Sequence, residues 1–193
     1  RPLRRHPTDM EATVVIMAKP LHPSPPVLSR DGVSLTVANT RRNLPEALSP
    51  QIKSTNFLNN ILAKRESIAA GTFDSLFLNW KDELTECTVS NLFFISGKTL
   101  HTPALDCGIL DGITRTIVMT LAQEEGVPVR EGHYHLADLQ RAEECFLTNT
   151  SMEIMPVNRV DSFAIGDGRP GSLTRRLQTR FADSRTRFLE PPS

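Results

Sequence analysis

Short apolar runs, each four to eight residues long, alternate in this chain with longer segments of helical period. That alternation constrains the fold more than any single residue, because short strands need neighbouring strands and covering helices to be stable. Val33, Leu35 and Val37 alternate with polar residues and predict a half-buried strand. Further strands are expected at Ser75–Leu78, Leu84–Cys87, Leu92–Ile95 and Thr99–Thr102, with turn signals at Trp80–Glu83 and Ser96–Lys98 between them. Two more fall at Cys145–Thr148 and Ile154–Val160. After Lys53, residues Phe57, Leu58, Ile61, Leu62, Ile68 and Ala69 recur at helical spacing, with Ser54 or Thr55 as the expected N-cap and Gly71 at the C-terminus. A second helix is predicted from Ile113 to about Glu125, with Ile117, Val118, Leu121 and Ala122 inward and Gly126 as its stop. Shorter helices are expected at Leu136–Ala142 and at Leu173–Phe181. Strands interleaved with helices in this way make the chain α/β or α+β.

The first nineteen residues belong to a different pattern. Ala12–Ala18 is a β-branched run that reads as a buried strand, and Pro20–Pro26 holds four prolines in seven residues. Such a stretch favours an extended linker, which places a domain boundary there. With 22 Lys+Arg against 22 Asp+Glu, no net field draws the chain to nucleic acid or to an anionic membrane. No apolar run approaches the roughly 20 residues of a membrane helix. The three cysteines, Cys87, Cys107 and Cys145, form neither a C-x-x-C pair nor a disulfide framework, so a reducing cytoplasm is expected.

Common catalytic motifs are missing. His133 and His135 lie two apart without a local cysteine or carboxylate cluster, so no metal site is expected. Gly166–Gly171 is glycine-rich but lacks the order and the strand-to-helix context of a phosphate loop, and reads as a turn. Ser90, Ser151 and the cysteines have no histidine placed for nucleophilic catalysis.

Four phrases do recur together. Gln51–Asn59 contains Lys53 ahead of a helix, and Leu84–Phe93 contains Glu86 on a strand. Thr102-Pro103 is followed by Gly108–Arg115, and Ala142–Thr150 leads to Glu153 and Pro156-Val157. In this order and spacing they resemble the signatures of the class IV aminotransferases, from about Gly32 to Phe181. The resemblance implies an α/β C-terminal domain of fold type IV, a twisted sheet curled toward a barrel with helices around it. It also implies pyridoxal 5'-phosphate (PLP) as cofactor.

The implied roles make chemical sense residue by residue. Lys53 would carry the cofactor covalently and then move the proton between substrate and cofactor. Glu86 would pair with the protonated pyridine nitrogen and keep the ring an electron sink. Gly112, Ile113 and Thr114 begin a predicted helix whose free amides suit a phosphate. Leu110 would pack on the ring face, and Thr150, with Asn149 beside it, resembles a second phosphate ligand. Two positions depart from the branched-chain members: Phe57 stands where they often place a tyrosine, and Asn149-Thr150-Ser151 replaces their Gly-Thr-Ala turn.

The implied activity is transamination between a branched-chain-like or D-amino acid and a 2-oxo acid, in a cytoplasmic homodimer. The alternative is 4-amino-4-deoxychorismate lyase chemistry, which the phrase Thr148–Pro156 would suit. A third reading is an inactive truncated remnant. Residues 1–19 are expected to be the tail of a smaller N-terminal domain, 20–31 a linker and 32–193 the PLP-binding domain. That smaller domain would bring an arginine to the phosphate, so the fragment on its own is expected to be inactive.

Overall fold

The computed structural model describes residues 13–185. Its elements in chain order are α1 (Pro26–Asp31), β1 (Val33–Val37), α2 (Leu58–Ala70), β2 (Asp74–Leu78), β3 (Leu84–Cys87), β4 (Asn91–Ser96) and β5 (Thr99–Pro103). A 3₁₀ turn (Leu105–Cys107), α3 (Ile113–Glu124), β6 (Val129–Gly132), α4 (Leu136–Gln140), β7 (Glu144–Asn149), β8 (Glu153–Val160), β9 (Phe163–Ala164) and α5 (Ser172–Ser184) follow. The strands pair in the order β3-β2-β1-β8-β7-β4-β5-β6, and β3 also pairs β4. That last pairing closes β1, β2, β3, β4, β7 and β8 into a six-stranded barrel, with β5 and β6 continuing the sheet outward. The closure is short: Glu86 opposite Asn91 is its one registered pair, whereas β7 pairs β4 and β8 over five positions each.

Strand alternation divides the core in two. Leu35, Leu92, Phe94, Cys145, Leu147, Met155 and Val157 share one cluster, which fills the barrel. Their neighbours Phe93, Ile95, Phe146 and Ile154 face outward and pack with Val118, Leu121 and Ala122 of α3 and Leu173 and Leu177 of α5. Both faces of β4 and β7 are therefore covered, which explains the unbroken run Leu92-Phe93-Phe94-Ile95. Each such side chain contributes roughly 1.5–3 kcal/mol by leaving water. Phe93 and Phe146 stack with centroids 5.1 Å apart.

The predicted strands from 33 to 160 are present, with ends shifted by a residue or two, and so are the four predicted helices. β6 and β9 were not expected. Val129–Gly132 has no fully buried residue and β9 has two residues, so neither carries a period that sequence alone can register.

Three expectations are corrected. The run Ala12–Ala18 is not a buried strand: Ala12 lies outside the described residues, Thr13–Ala18 is irregular, and Val14, Val15, Ile16 and Met17 are exposed. No described strand pairs with it, and a lone strand cannot satisfy its backbone groups. Second, the proline-rich segment ends in a helix, because Pro26 stands in its first turn, where proline's missing N–H costs nothing. Third, Phe57, not Ser54 or Thr55, is the N-cap of α2, although Gly71 does end the helix in the left-handed conformation (φ 67°). The apolar set of α2 also faces away from the core. Asn60, Ala63 and Ser67 are its buried residues, seated on β2 through Ser75 Oγ donating to the Ala63 carbonyl (2.7 Å). Phe57, Leu58, Ile61, Leu62 and Ile68 are exposed.

Candidate active site

Glu86 is a strongly perturbed carboxyl of the site. It lies on β3, 5% exposed, where the short β3–β4 joint closes the barrel. Arg42 donates to its Oε1 (2.6 Å), and Asn91 Nδ2 and the Leu110 backbone N–H both donate to Oε2 (3.1 Å each). Burial pushes this carboxyl up to about 7; the Arg42 charge, the Leu110 and Arg42 hydrogen bonds and the Lys53 charge oppose that rise without cancelling it. Three donors leave room on a carboxylate for one more.

Arg42 was not singled out by its sequence context. It lies in an irregular segment after β1 and is 7% exposed. Its other contacts include the Gly108 carbonyl (3.2 Å) and Asn60 Oδ1 (3.1 Å), so it ties α2, the 3₁₀ turn and Glu86 together. Asn91 falls within one of the recognised phrases, yet its role becomes visible only here. It also donates to the Leu110 carbonyl (2.8 Å). Periodicity carries no trace of Arg42; the polar Asn91 at the head of an otherwise apolar strand is a signal that could have been read.

Beside Asn91 and Leu110, α3 presents its N-terminus. Gly112 is the N-cap, in extended conformation and with no side chain capping the helix, so the first-turn amides have no intrahelical acceptor. A Cβ on Gly112 would collide with Asn91 Oδ1. Thr114 is buried and Ile113 is exposed at the rim. Arg115, 2% exposed, fixes the helix start by donating to the Pro103 carbonyl (3.1 Å) and pairing with Glu131.

These elements enclose a cavity of about 400 Å³ whose walls include Arg42, Lys53, Glu86, Leu110, Gly112, Ile113, Thr114, Asn149 and Thr150. All eight residues singled out from the sequence thus line one space, together with Phe57. Lys53 belongs to an irregular stretch ahead of α2 and is exposed. Asn149 is occupied by its own turn: its Oδ1 accepts from Ser151 and Met152 N–H (3.0 and 2.8 Å), and its Nδ2 donates to the Val89 carbonyl (3.2 Å). Thr150 is exposed on the rim. Two further lining hydroxyls, Ser90 Oγ and Thr148 Oγ1, are buried without a hydrogen-bond partner among the described residues. A larger, shallower depression bordered by Gly32, Phe73 and Asn158 contains none of these groups.

The chain belongs to the amino-transferase class IV family, whose model matches residues 2–160. A putative branched-chain-amino-acid aminotransferase of Methanocaldococcus jannaschii is 39% identical over 166 residues, covering 86% of this chain and 58% of the relative. A D-alanine aminotransferase of Listeria monocytogenes is 38% identical over 136 residues (70% and 47%). An aminodeoxychorismate lyase of Bacillus subtilis is 35% identical over 166 residues (86% and 55%). Among solved structures, a T.th. branched-chain amino acid aminotransferase with pyridoxamine 5'-phosphate superposes with a TM-score of 0.78 at 29% identity, over 81% of this chain and 51% of that one. The expected fold is therefore present, and the chain spans about half the length of the relatives it matches. No helix among the described residues is long and apolar enough to cross a membrane.

Proposed function

We propose that this cavity holds pyridoxal 5'-phosphate and that the protein moves an amino group between an amino acid and a 2-oxo acid. The observation that carries this reading is the convergence of Lys53, a buried carboxylate and an uncapped helix N-terminus on one enclosed space. The residues suit the group at both ends. The first amides of α3, the Thr114 hydroxyl and Thr150 would hold the phosphate, and the missing Cβ of Gly112 keeps that approach open. Glu86 retains a lone pair for the ring nitrogen, and the unpartnered hydroxyls of Ser90 and Thr148 offer further polar contacts. When bound, the cofactor supplies the electron sink that stabilises charge at the substrate's α-carbon. Glu86, held by Arg42, Asn91 and Leu110, would keep a negative charge facing the ring nitrogen. Leu110 would cover one ring face and exclude water. Lys53 Nζ would anchor the aldehyde carbon and, once free, carry the proton to and from the α-carbon.

The same reading includes the smaller domain's tail at 1–19, the linker at 20–31, a cytoplasmic location and a homodimer. The exposed apolar set of α2, with Ile52, Val89 and Ile113 beside it at the cavity mouth, supports a covered face there. Three buried free cysteines suit a reducing compartment.

Lyase chemistry on 4-amino-4-deoxychorismate is the second reading, supported by the phrase Thr148–Pro156 and by the similarity to the Bacillus subtilis lyase. Visible absorption of the protein with added PLP, and products from amino donors against aminodeoxychorismate, test the two. The expected outcome is yellow full-length protein that forms 2-oxo acids from amino donors and no 4-aminobenzoate from aminodeoxychorismate. Absence of colour in the protein and in any longer form would overturn both.

A further inference from the structure

Outside the cavity, three side chains of different chemistry meet at one point. Glu83 precedes β3, Cys107 ends the 3₁₀ turn, and His133 follows β6. Fifty positions separate Glu83 from His133 and 26 separate Cys107 from it, so no local spacing marks the set. His133 Nδ1 lies 3.1 Å from Glu83 Oε1 and 3.5 Å from Cys107 Sγ, and all three atoms fall within 4.8 Å of one another.

These separations can be compared with a coordination sphere. Tetrahedral zinc with bonds of about 2.3 Å to sulfur and about 2.0–2.1 Å to nitrogen or oxygen places S and N roughly 3.5 Å apart and N and O roughly 3.4 Å apart. Both observed spacings match to within a few tenths of an ångström. The groups behind the ligands are also those a metal site uses. Asp106 Oδ2 lies 3.3 Å from His133 Nε2 and would accept its proton in the tautomer that leaves the Nδ1 lone pair for a metal. Asn79 Nδ2 donates to Glu83 Oε2 (2.7 Å), leaving Oε1 directed at the same point.

We propose that Glu83, Cys107 and His133 bind a divalent transition metal of the zinc type. One sulfur, one imidazole and one carboxylate oxygen exclude magnesium and calcium and suit zinc or cobalt. On binding, the Cys107 thiol releases its proton to solvent and coordinates as thiolate. His133 coordinates as the neutral ring, Glu83 as carboxylate, and the metal keeps its oxidation state. A fourth position is left for water. The ligands tie the metal to the turn: Cys107 is fully buried, and the Gly108 carbonyl that follows it accepts from Arg42. The metal would pin the turn that leads to the cavity.

Cobalt(II) is the probe. Titrated into the protein, it should bind at one equivalent, with a near-ultraviolet thiolate-to-cobalt band in the difference spectrum, and zinc should displace it. Cys107→Ser should remove the band. Because serine at that buried position can impair folding, His133→Gln is the second variant: the ring is partly exposed, and affinity should fall about tenfold or more. Lys53→Ala should leave the titration unchanged, which separates this site from the cofactor reading. No thiolate band, or equal affinity in His133→Gln, overturns the proposal.

Discussion

The two ends of the cavity solve opposite problems. At Glu86 the carboxylate already holds three donors, and its Arg42 partner also holds the Gly108 carbonyl and Asn60. At the α3 end, and at Ser90 and Thr148, donors and hydroxyls wait without partners among the described residues. On the proposed function, the difference separates a group oriented by folding from donors that a ligand would complete. A charge whose job is to face a ring nitrogen must be oriented in advance, and orientation requires neighbours. A phosphate brings its own acceptors, so its site needs only donors held in place.

Lys53, whose charge acts on Glu86, should have the largest effect when removed. In the full-length protein, Lys53→Ala is expected to abolish the yellow colour formed with PLP and to lower turnover by about 10²–10⁴-fold or more, since anchor and proton carrier go together. Wild-type colour and single-turnover rate in this variant would break the assignment of both ends at once.

The next effect concerns the preset end alone. The Glu86 carboxyl is raised to about 7 in the fold, so the folded protein binds its proton more readily than the unfolded chain. Stability from this group is therefore present below about 4.5 and lost as pH rises through about 7. Denaturation of the cofactor-free protein should show a decline worth at most about 3 kcal/mol over that interval, absent in Glu86→Gln. A slope that persists in Glu86→Gln would assign it to another group.

On rate, Glu86→Ala should retain colour but slow turnover roughly ten- to a hundred-fold, the loss of a charge-assisted hydrogen bond of about 1.5–3 kcal/mol. Stopped-flow single turnovers with several amino donors measure this; an unchanged rate would remove Glu86 from the chemistry. The smallest effect belongs to the ligand-completed end. Thr114→Ala should weaken PLP binding about five-fold, the worth of one neutral hydrogen bond near 1 kcal/mol, with melting temperature of the free protein unchanged. Equal affinity by equilibrium titration would place the phosphate elsewhere.

Legibility in the sequence follows the same division. Strands buried on both faces, such as Leu92–Ile95, were visible as runs, and Lys53, Glu86, Thr114 and Thr150 were visible through their phrases. Arg42 was not, because a residue in an irregular segment carries no period and its partners lie 18 and 44 positions away. The helix α2 was legible as a helix but not in its orientation. A stripe of Leu58, Ile61, Leu62 and Ile68 has one period whether it covers a core or waits for another surface. The run Thr13–Ala18 failed for a related reason: β-branched residues state a preference, and only a partner strand can realise it.

The barrel's shortest seam carries one more consequence. Five of its six joints run over two or more registered positions, while β3 and β4 meet through Glu86 and Asn91 alone. A hoop pulled from outside opens at its weakest weld, and here that weld is a wall of the cavity. On the proposed function, a cofactor seated against Glu86 and Asn91 would act as a rivet, adding to the hold of the short turn and the Cys87 N–H to Ser90 carbonyl bond (2.8 Å) that already join the two strands. Amide exchange along β3 and β4 should slow together once it is seated, while β7 and β8, welded along their length, have little left to gain.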